Sequence, residues 1–184
     1  MIYHISVSSV LRKTVCDLYT NLVTRPTGVA VRQAIVAALA DLPEPNVTII
    51  DFAHVKMLDF SCADEVVGKL LDFYQNAAVQ PQRYFLIRGV HAGHLEAIEA
   101  VLVRYNLAVI VENERGTFDL VGTLDDGARR AWDVVNAHGS VGPLELERAL
   151  GGPAETATRV LEQLSARRLV MRRDDGYVSL PQSS

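Results

Sequence analysis

The sequence predicts an α/β fold in which a mixed sheet is covered by helices, followed by a small, mainly helical C-terminal domain. Over the first two thirds of the chain, short apolar runs rich in β-branched residues alternate with patterns of helical spacing. A polar stretch at residues 112–116 ends this alternation, and the pattern after it is mainly helical. Strands separated by helices of this length indicate a partly parallel sheet. The 184 residues allow one such domain and a smaller second one.

The first elements follow from the spacing of apolar residues. Residues 2–7 are typical of a strand, whereas residues 15–23 fit either a strand or part of a helix that begins near Ser9. Proline and glycine within residues 24–28 indicate a turn. Residues 29–42 then place apolar side chains on one helical face, and the following prolines end that helix.

One buried strand leads through a short loop into an amphipathic helix. Residues 47–52 are apolar and rich in β-branched side chains, as in a strand covered on both faces. From Ser61 onward, apolar residues recur at helical spacing, which leaves Asp64 and Glu65 on the other, solvated side. Ser61 precedes Asp64 by three residues, as in a capping box, so we expect the Ser61 hydroxyl to cap the helix.

Three later patterns complete the first domain. Residues 84–87 and 107–111 are typical of buried strands, and residues 91–105 between them have helical spacing. His91 and His94 lie three residues apart, but no acidic or cysteine partner stands at metal-ligand spacing. We therefore expect both histidines in the solvated first turn of that helix.

A family resemblance lies in residues 50–64, which read IDFAHVKMLDFSCAD. They resemble the signature of STAS domains, the fold of anti-sigma factor antagonists, which runs roughly L-D-L-S-G-V-x-x-I-D-S-S-G-L-G. Asp51 and Asp59 match the two aspartates of that signature. Ser61 matches the serine that a partner kinase phosphorylates in family members. The resemblance thus implies a phosphorylation site and a partner-binding loop here.

The likeness to the STAS signature is incomplete at three positions. Phe60, Cys62 and Asp64 stand where the signature has serine, glycine and a second glycine. The turn at residues 24–28 adds polar side chains suited to an anion, next to a helix start. The expected partner-binding residues are Asp59, Phe60, Cys62, Arg25 and Thr27.

Two interpretations of Ser61 follow. As a helix cap, it would contribute about 1 kcal/mol to stability. As a phosphoacceptor, it would place a phosphate at the free amides and the positive dipole end of the helix. Asp59, Asp64 and Glu65 favour the first interpretation, because they would surround a dianion.

The polar stretch marks the predicted domain boundary, with a first domain over residues 1–115 and a second over residues 117–182. A short strand or extended linker at residues 117–121 opens the second domain. Helical patterns follow at residues 124–138, 141–150 and 153–167.

The chain then forms two alternating runs joined by Asp174, Asp175 and Gly176, a signal typical of a hairpin. Three helices and a hairpin are typical of a winged helix-turn-helix. The closing residues also resemble the end of many bacterial winged-helix regulators.

DNA binding by this second domain would use its third helix and its hairpin. In such modules the third helix enters the major groove and the wing lies along the backbone. The candidate DNA contacts are Thr156, Thr158, Arg159, Arg172 and Arg173. Residues 116–184 contain eight Arg, no Lys and ten Asp or Glu, a net charge of −2 that is unfavourable for a duplex-binding face. Protein interaction or dimerisation through this domain is at least as well supported.

Composition excludes several classes of function. A net charge of −4 supplies no general attraction to nucleic acid or to anionic lipid. Two cysteines are too few for a paired-cysteine zinc site, and no apolar run is long enough to span a bilayer. The N-terminus lacks a basic region followed by an apolar block, so we expect a cytoplasmic protein. No catalytic motif occurs, and we expect no enzyme activity, metal or cofactor.

These observations predict a cytoplasmic regulatory protein that acts through protein–protein interaction. A kinase or an anti-sigma-like partner would dock around the Ser61 loop, and phosphate there would weaken docking. The second domain would pass the signal on. The alternative is a DNA-binding transcription regulator whose first domain dimerises or senses a small molecule.

Overall fold

The computed structural model describes residues 1–75, 82–174 and 176–182 of the chain. These residues form helices and a mixed sheet, which confirms the α/β class predicted from the sequence. The chain divides into two compact units, Ile2–Thr123 and Leu124–Ser184. None of the helices in the described ranges combines the length and the apolarity needed to cross a bilayer.

The first unit alternates strands with helices. Its described strands are β1 (Ile2–Ser6), β2 (Asn21–Leu22), β3 (Asn46–Asp51), β4 (Met57–Leu58), β5 (Arg83–Arg88), β6 (Ala108–Glu112) and β7 (Phe118–Gly122). Its described helices are α1 (Val7–Thr14), α2 (Arg25–Ala40), α3 (Phe60–Ala63), α4 (Leu70–Gln75) and α5 (Ala92–Tyr105). A π-helical segment, Asp64–Lys69, joins α3 to α4.

In the described part of this unit, the main sheet has the strand order β1-β3-β5-β6-β7. The first four of these strands are parallel, and β7 is antiparallel to β6. Every residue from Asn46 to Ile50 is buried, as predicted for a strand covered on both faces. The parallel arrangement brings the carboxyl ends of β3, β5 and β6 to one edge of the sheet.

One hydrophobic core joins the sheet to the helices of the first unit. Ile50, Ile87 and Val111 lie on neighbouring strands and belong to the same buried cluster as Ile35 of α2 and Leu102 of α5. This burial supplies the main stabilising free energy of the unit, because each such side chain contributes about 1.5–3 kcal/mol when it leaves water.

The first helix begins earlier than predicted. α1 follows β1 directly, because the Ser6 hydroxyl accepts a hydrogen bond from the Ser9 amide at 3.3 Å and caps the helix. The strand predicted at residues 15–23 is confined to β2, which pairs in parallel with β4. β2 and β4 form a small sheet of their own beside the loop that precedes Ser61.

The start of α2 also differs from the prediction. The helix begins at Arg25, and Pro26 lies in its first turn, where a fixed φ suits the helix and the missing N–H is not needed. Thr24 is the residue before the helix and has a positive φ of 75°. Arg25 and Thr27 therefore belong to the first turn of α2 rather than to a loop before it.

The predicted cap at Ser61 is wrong. α3 begins at Phe60, and the Asp59 carboxylate accepts a hydrogen bond from the Cys62 amide at 2.7 Å. Aspartate caps a helix as well as serine does, so the residue two positions earlier takes the role. Ser61 lies inside the first turn, and Asp64 forms no capping box, because it is buried farther along the same helical segment.

The first unit extends past the predicted boundary at residues 115–117. Strand β7 pairs with β6, with Glu112 opposite Phe118. The polar stretch is the turn of this hairpin, because the Asn113 side-chain oxygen accepts hydrogen bonds from the amides of Arg115 and Thr117. A turn and a linker share the same polar composition, which explains the difference.

The second unit contains α6 (Asp126–His138), α7 (Pro143–Leu150) and α8 (Ala154–Ala166), which occupy the three predicted helical patterns. Strands β8 (Ser140–Val141), β9 (Val170–Arg173) and β10 (Gly176–Ser179) form an antiparallel sheet in the order β8-β10-β9. The predicted pairing of the two closing runs is thus confirmed, whereas Asp175 of the predicted turn lies outside the described residues.

The helices of the second unit enclose a small core of their own. Its largest buried members include Trp132, Leu146, Leu161 and Leu164. Asp125 caps α6 by accepting a hydrogen bond from the Ala128 amide at 2.8 Å. Its second oxygen accepts a hydrogen bond from the Gln163 amide group at 3.0 Å, which ties the start of α6 to α8.

Candidate functional site

Two helix starts meet at the Asp59 carboxylate. One oxygen accepts a hydrogen bond from the Cys62 amide at 2.7 Å, and the other accepts one from the Thr24 amide at 3.0 Å. The Cys62 thiol in turn donates to the Thr24 carbonyl, with a sulfur–oxygen distance of 3.0 Å. Burial alone would raise the pKa of Asp59, but these amide hydrogen bonds outweigh it and hold the pKa below its usual value.

The structure thus brings together most of the predicted partner-binding residues. Phe60 is exposed, Ser61 is half-buried and Cys62 is buried. Thr27 is half-buried, and its hydroxyl lies 3.1 Å from that of Thr24. Within the described residues, the Ser61 hydroxyl makes no hydrogen bond. Arg25 does not extend to this loop, because its guanidinium binds the carboxylates of Asp64 and Glu65 in the π-helical segment that follows α3.

Cys62 is not available as a nucleophile. Burial raises the pKa of its thiol to about 12, and the nearby Asp59 charge acts in the same direction. Since the thiolate is the reactive form, the side chain is inert at neutral pH.

Exposed apolar side chains lie next to the Asp59 loop. We call Leu18, Tyr19, Met57 and Phe60 the apolar patch; they are 90%, 38%, 57% and 42% exposed, respectively. The backbones that carry them are joined, because the Lys56 amide donates to the Thr20 carbonyl at 2.8 Å and β2 pairs with β4. Of these four residues, the sequence pattern identified only Phe60. Leu18 and Tyr19 lie in the strand predicted at residues 15–23, where apolar side chains are expected to be buried.

A second cluster, the buried carboxylate network, lies on the π-helical segment. Asp64 and Glu65 are each 1% exposed. Glu65 binds Arg25 at 2.7 Å and Arg32 at 3.1 Å, and it also pairs with Lys69. Burial alone would raise its pKa, but hydrogen bonds from Lys69, Arg25 and Arg32 keep the pKa of Glu65 below its usual range.

Asp64 connects the same segment to α5. It accepts hydrogen bonds from Arg25 at 2.6 Å and from the Tyr105 hydroxyl at 3.0 Å, and Arg104 lies 3.5 Å away. Burial raises the pKa of Asp64, but these partners lower it by more. Gly28 lets α2 approach, because a Cβ there would lie 3.1 Å from the Cβ of Glu65.

The prediction that Asp64 and Glu65 face solvent is wrong. The residues that flank them in sequence are apolar, and the arginines that pair with them lie on α2 and α5. The sequence pattern assigned no role to Arg32. The seven-residue spacing of Arg25 and Arg32, which puts both on one helical face, is the signal that could have identified the network.

The two histidines of α5 differ in environment. His91 caps the helix, and its Nδ1 accepts a hydrogen bond from the Gly93 amide at 3.2 Å. His94 is buried, contrary to the prediction. The centroid of its ring lies 3.5 Å from the ring centroid of His91 and 6.3 Å from that of Phe52. Burial lowers the pKa of His94, and the neighbouring His91 lowers it further.

Asp51, the other aspartate of the signature, holds the loop that leaves β3. It accepts hydrogen bonds from the Ala53 amide at 2.9 Å and from Arg88 Nε at 2.9 Å. A crevice of about 310 Å³ lies beside this ion pair at the carboxyl edge of the sheet, and Glu112 and Asn113 line its far side.

The candidate DNA contacts are distributed over α8 and β9. Thr156, Arg159, Arg172 and Arg173 are exposed, whereas Thr158 is half-buried and its hydroxyl donates to the Ala154 carbonyl at 3.1 Å. The exposed face of α8 also carries Glu155 and Glu162. Arginine and glutamate are therefore mixed on the face that would meet a duplex.

No group of three or more His, Cys, Asp or Glu side chains in the described ranges is arranged to hold a metal ion. No family model matches the chain, and no curated protein is significantly similar to it in sequence.

Proposed function

We propose that the chain is a cytoplasmic regulatory protein whose first unit, a STAS-like domain, binds a protein partner at the apolar patch and the adjoining Asp59 loop. The observation that carries this proposal is the exposure of the four apolar side chains beside a loop that is fastened by hydrogen bonds. Exposed apolar clusters of this kind are typical of protein-binding surfaces. A loop already fastened at Thr24, Asp59 and Cys62 also reduces the entropy cost of docking.

The chemistry of the patch defines the partner. The exposed charges next to it, Lys56 and Asp17, have opposite signs, so apolar contact supplies the affinity. The partner therefore presents an apolar docking face, and the resemblance in residues 50–64 suggests a kinase or an anti-sigma-like protein.

Phosphorylation at Ser61 would regulate this contact. A phosphate carries about two negative charges at neutral pH, and Asp59 stands two residues away. The dianion would repel the Asp59 carboxylate and compete with it for the amides of the loop. Docking at Phe60, the adjacent residue, would weaken as a result.

The second unit would act as the output, as a winged helix. The order of its elements, α6-β8-α7-α8-β9-β10, with an antiparallel sheet formed by the three strands, supports this assignment. Its mixed surface charge favours protein contact or dimerisation over DNA.

Site-specific photo-crosslinking tests the partner-binding function. Benzoylphenylalanine is introduced at Phe60 or at Met57, and at Val103 as a control, because Val103 is an exposed apolar residue on α5. We expect one and the same cellular protein to crosslink from Phe60 and Met57 and not from Val103. With that protein purified, Phe60→Ser should lower its affinity at least tenfold and Val103→Ser should leave it unchanged. Equal crosslinking from all three positions would reject the patch as a specific site.

A DNA-binding regulator is the second candidate, because Arg159 is exposed on α8 and Arg172 and Arg173 are exposed on β9. Affinity for duplex DNA would then fall steeply with added salt, since bound counterions are released on binding. Anisotropy titrations of wild type and Arg159→Ala at two salt concentrations test this candidate. Weak binding that is equal in both proteins would exclude it.

A further inference from the structure

A groove with an apolar floor and a cationic rim lies between α2 and the helical segment that ends in α4. Its volume is about 270 Å³, and we call it the α2/α4 groove. The lining residues are Arg32, Val36, Lys69, Leu70, Asp72 and Phe73. All six belong to the first unit, and the groove is separate in sequence from the Asp59 loop and the apolar patch.

The floor of the groove is suited to an aliphatic chain. Val36, Leu70 and Phe73 supply it, and Phe73 is 49% exposed although it packs edge-on against Tyr74. An amphipathic helix of a partner would need a longer stripe of anchor positions along one face. Three neighbouring apolar residues instead match a single chain of methylenes.

The two cations at the rim of the groove, Arg32 and Lys69, belong to a charged network that extends beyond the groove. Four cations, Arg25, Arg32, Lys69 and Arg104, surround the buried pair Asp64 and Glu65. The cationic side chains are 28–57% exposed, whereas the two carboxylates are 1–2% exposed, so a ligand arriving from solvent meets the cations. Among the residues that line the groove itself, Arg32 and Lys69 are cationic and Asp72 alone is anionic, which leaves one positive charge to be balanced.

The rim also keeps hydrogen-bond donors for a ligand. Among the described residues, Arg32 donates to Glu65 through Nε alone, at 3.1 Å, which leaves both Nη groups for another acceptor. Lys69 donates one of its three ammonium hydrogens to Glu65. A guanidinium fork binds carboxylate and phosphate groups with two parallel hydrogen bonds, and a single excess positive charge matches the monoanionic carboxylate.

We propose that the α2/α4 groove binds an aliphatic chain that ends in a carboxylate. The carboxylate lies between Arg32 and Lys69 and balances the remaining positive charge. The chain lies over Val36, Leu70 and Phe73. This ligand site does not depend on partner binding at the apolar patch, so either can be tested without the other.

Isothermal titration of the full chain with decanoate, below the concentration at which it forms micelles, tests the proposal. We expect one decanoate per chain, and an affinity that rises by about fourfold for each methylene added between octanoate and decanoate. Decylamine has the same chain and the opposite charge, and we expect it to bind at least tenfold more weakly. Absence of decanoate binding at millimolar concentration, or equal binding of the amine, would overturn the proposal.

Variants locate the site. Phe73→Ser shortens an exposed side chain of the groove, and Lys69→Gln removes one rim charge; each should weaken decanoate binding at least fivefold. Val103→Ser replaces an apolar side chain on α5 that is 67% exposed, against 49% for Phe73, and serves as the matched control. Circular dichroism melts confirm that each variant is folded. Decanoate binding that is unchanged in both folded groove variants would place the ligand elsewhere and reject the assignment.

Discussion

The Asp59 carboxylate accepts a hydrogen bond from the Thr24 amide at 3.0 Å, across 35 residues of sequence. The same carboxylate caps α3 through the Cys62 amide. One side chain thus fastens the starts of two helices, and the loop that carries Phe60 and Ser61 is fixed between them.

Replacement of Asp59 by alanine is expected to destabilise the protein by about 2 kcal/mol, because the start of α3 loses its cap and the Thr24 amide loses its acceptor. Ser61→Ala should change stability by less than about 0.5 kcal/mol, since Ser61 does not cap the helix. Urea denaturation of the two variants measures both values. Equal losses of unfolding free energy in the two variants would show that Ser61 contributes to the cap of α3.

The strand and helix order of the first unit could be predicted because apolar spacing reflects burial directly. Residues 47–52 show this well, since β3 runs from Asn46 to Asp51 and its interior is buried. The cap at Asp59 was missed because serine and aspartate are equally good caps, and spacing alone does not choose between positions two residues apart.

The buried carboxylate network could not be predicted, because its pairs join distant segments. The spacing of apolar residues places Asp64 and Glu65 on the solvated face of an amphipathic helix. The arginines that bind them are distant in sequence, since Arg25 lies 39 residues before Asp64 and Arg32 lies 33 residues before Glu65. The domain boundary predicted at the polar stretch, residues 112–116, was wrong for a different reason. A hairpin turn and a domain linker have the same composition, and only the pairing of β6 with β7 distinguishes them.

Glu65→Gln is expected to lower stability at neutral pH by about 2 kcal/mol, because three cationic side chains lose a charged acceptor. The pKa of Glu65 is lower in the folded protein than in the unfolded chain. The contribution of Glu65 to stability is therefore complete above about pH 4.3, and it is lost as the pH falls through the pKa of the folded state. The variant should therefore lose less stability than wild type between pH 5 and pH 3.

Urea denaturation at pH 7, 5, 4 and 3 measures that difference. Glu114→Gln serves as the control, because Glu114 is exposed in the β6–β7 turn. Parallel stability curves for wild type and Glu65→Gln would contradict the role of the network.

His94 is expected to make the protein less stable in mild acid. Its pKa is lowered in the folded state, chiefly by burial, so the unfolded chain takes up the proton first. Stability is therefore full above about pH 6.5 and decreases as the pH falls from there through the folded pKa. His94→Phe should remove this dependence. It should also stabilise the protein, because neither ring nitrogen of the buried His94 has a hydrogen-bond partner within the described residues.

Thermal melts of wild type and His94→Phe between pH 7.5 and pH 5 provide the measurement. His54→Gln is the control, since His54 is exposed. If His54→Gln removed the dependence and His94→Phe did not, the assignment to His94 would be wrong.

The two cysteines are expected to react at very different rates. Cys16 is exposed, whereas Cys62 is buried, its thiol donates to the Thr24 carbonyl, and its pKa is raised to about 12. Only the thiolate attacks a disulfide reagent, so the native protein should release one equivalent of thionitrobenzoate quickly, and urea should release the second. Cys16→Ser should abolish the fast phase. Asp59→Ala should accelerate the slow one, because the loop around Cys62 then loses the Asp59 hydrogen bonds to the Thr24 and Cys62 amides. A fast phase that persists in Cys16→Ser would show that Cys62 is accessible in the native fold.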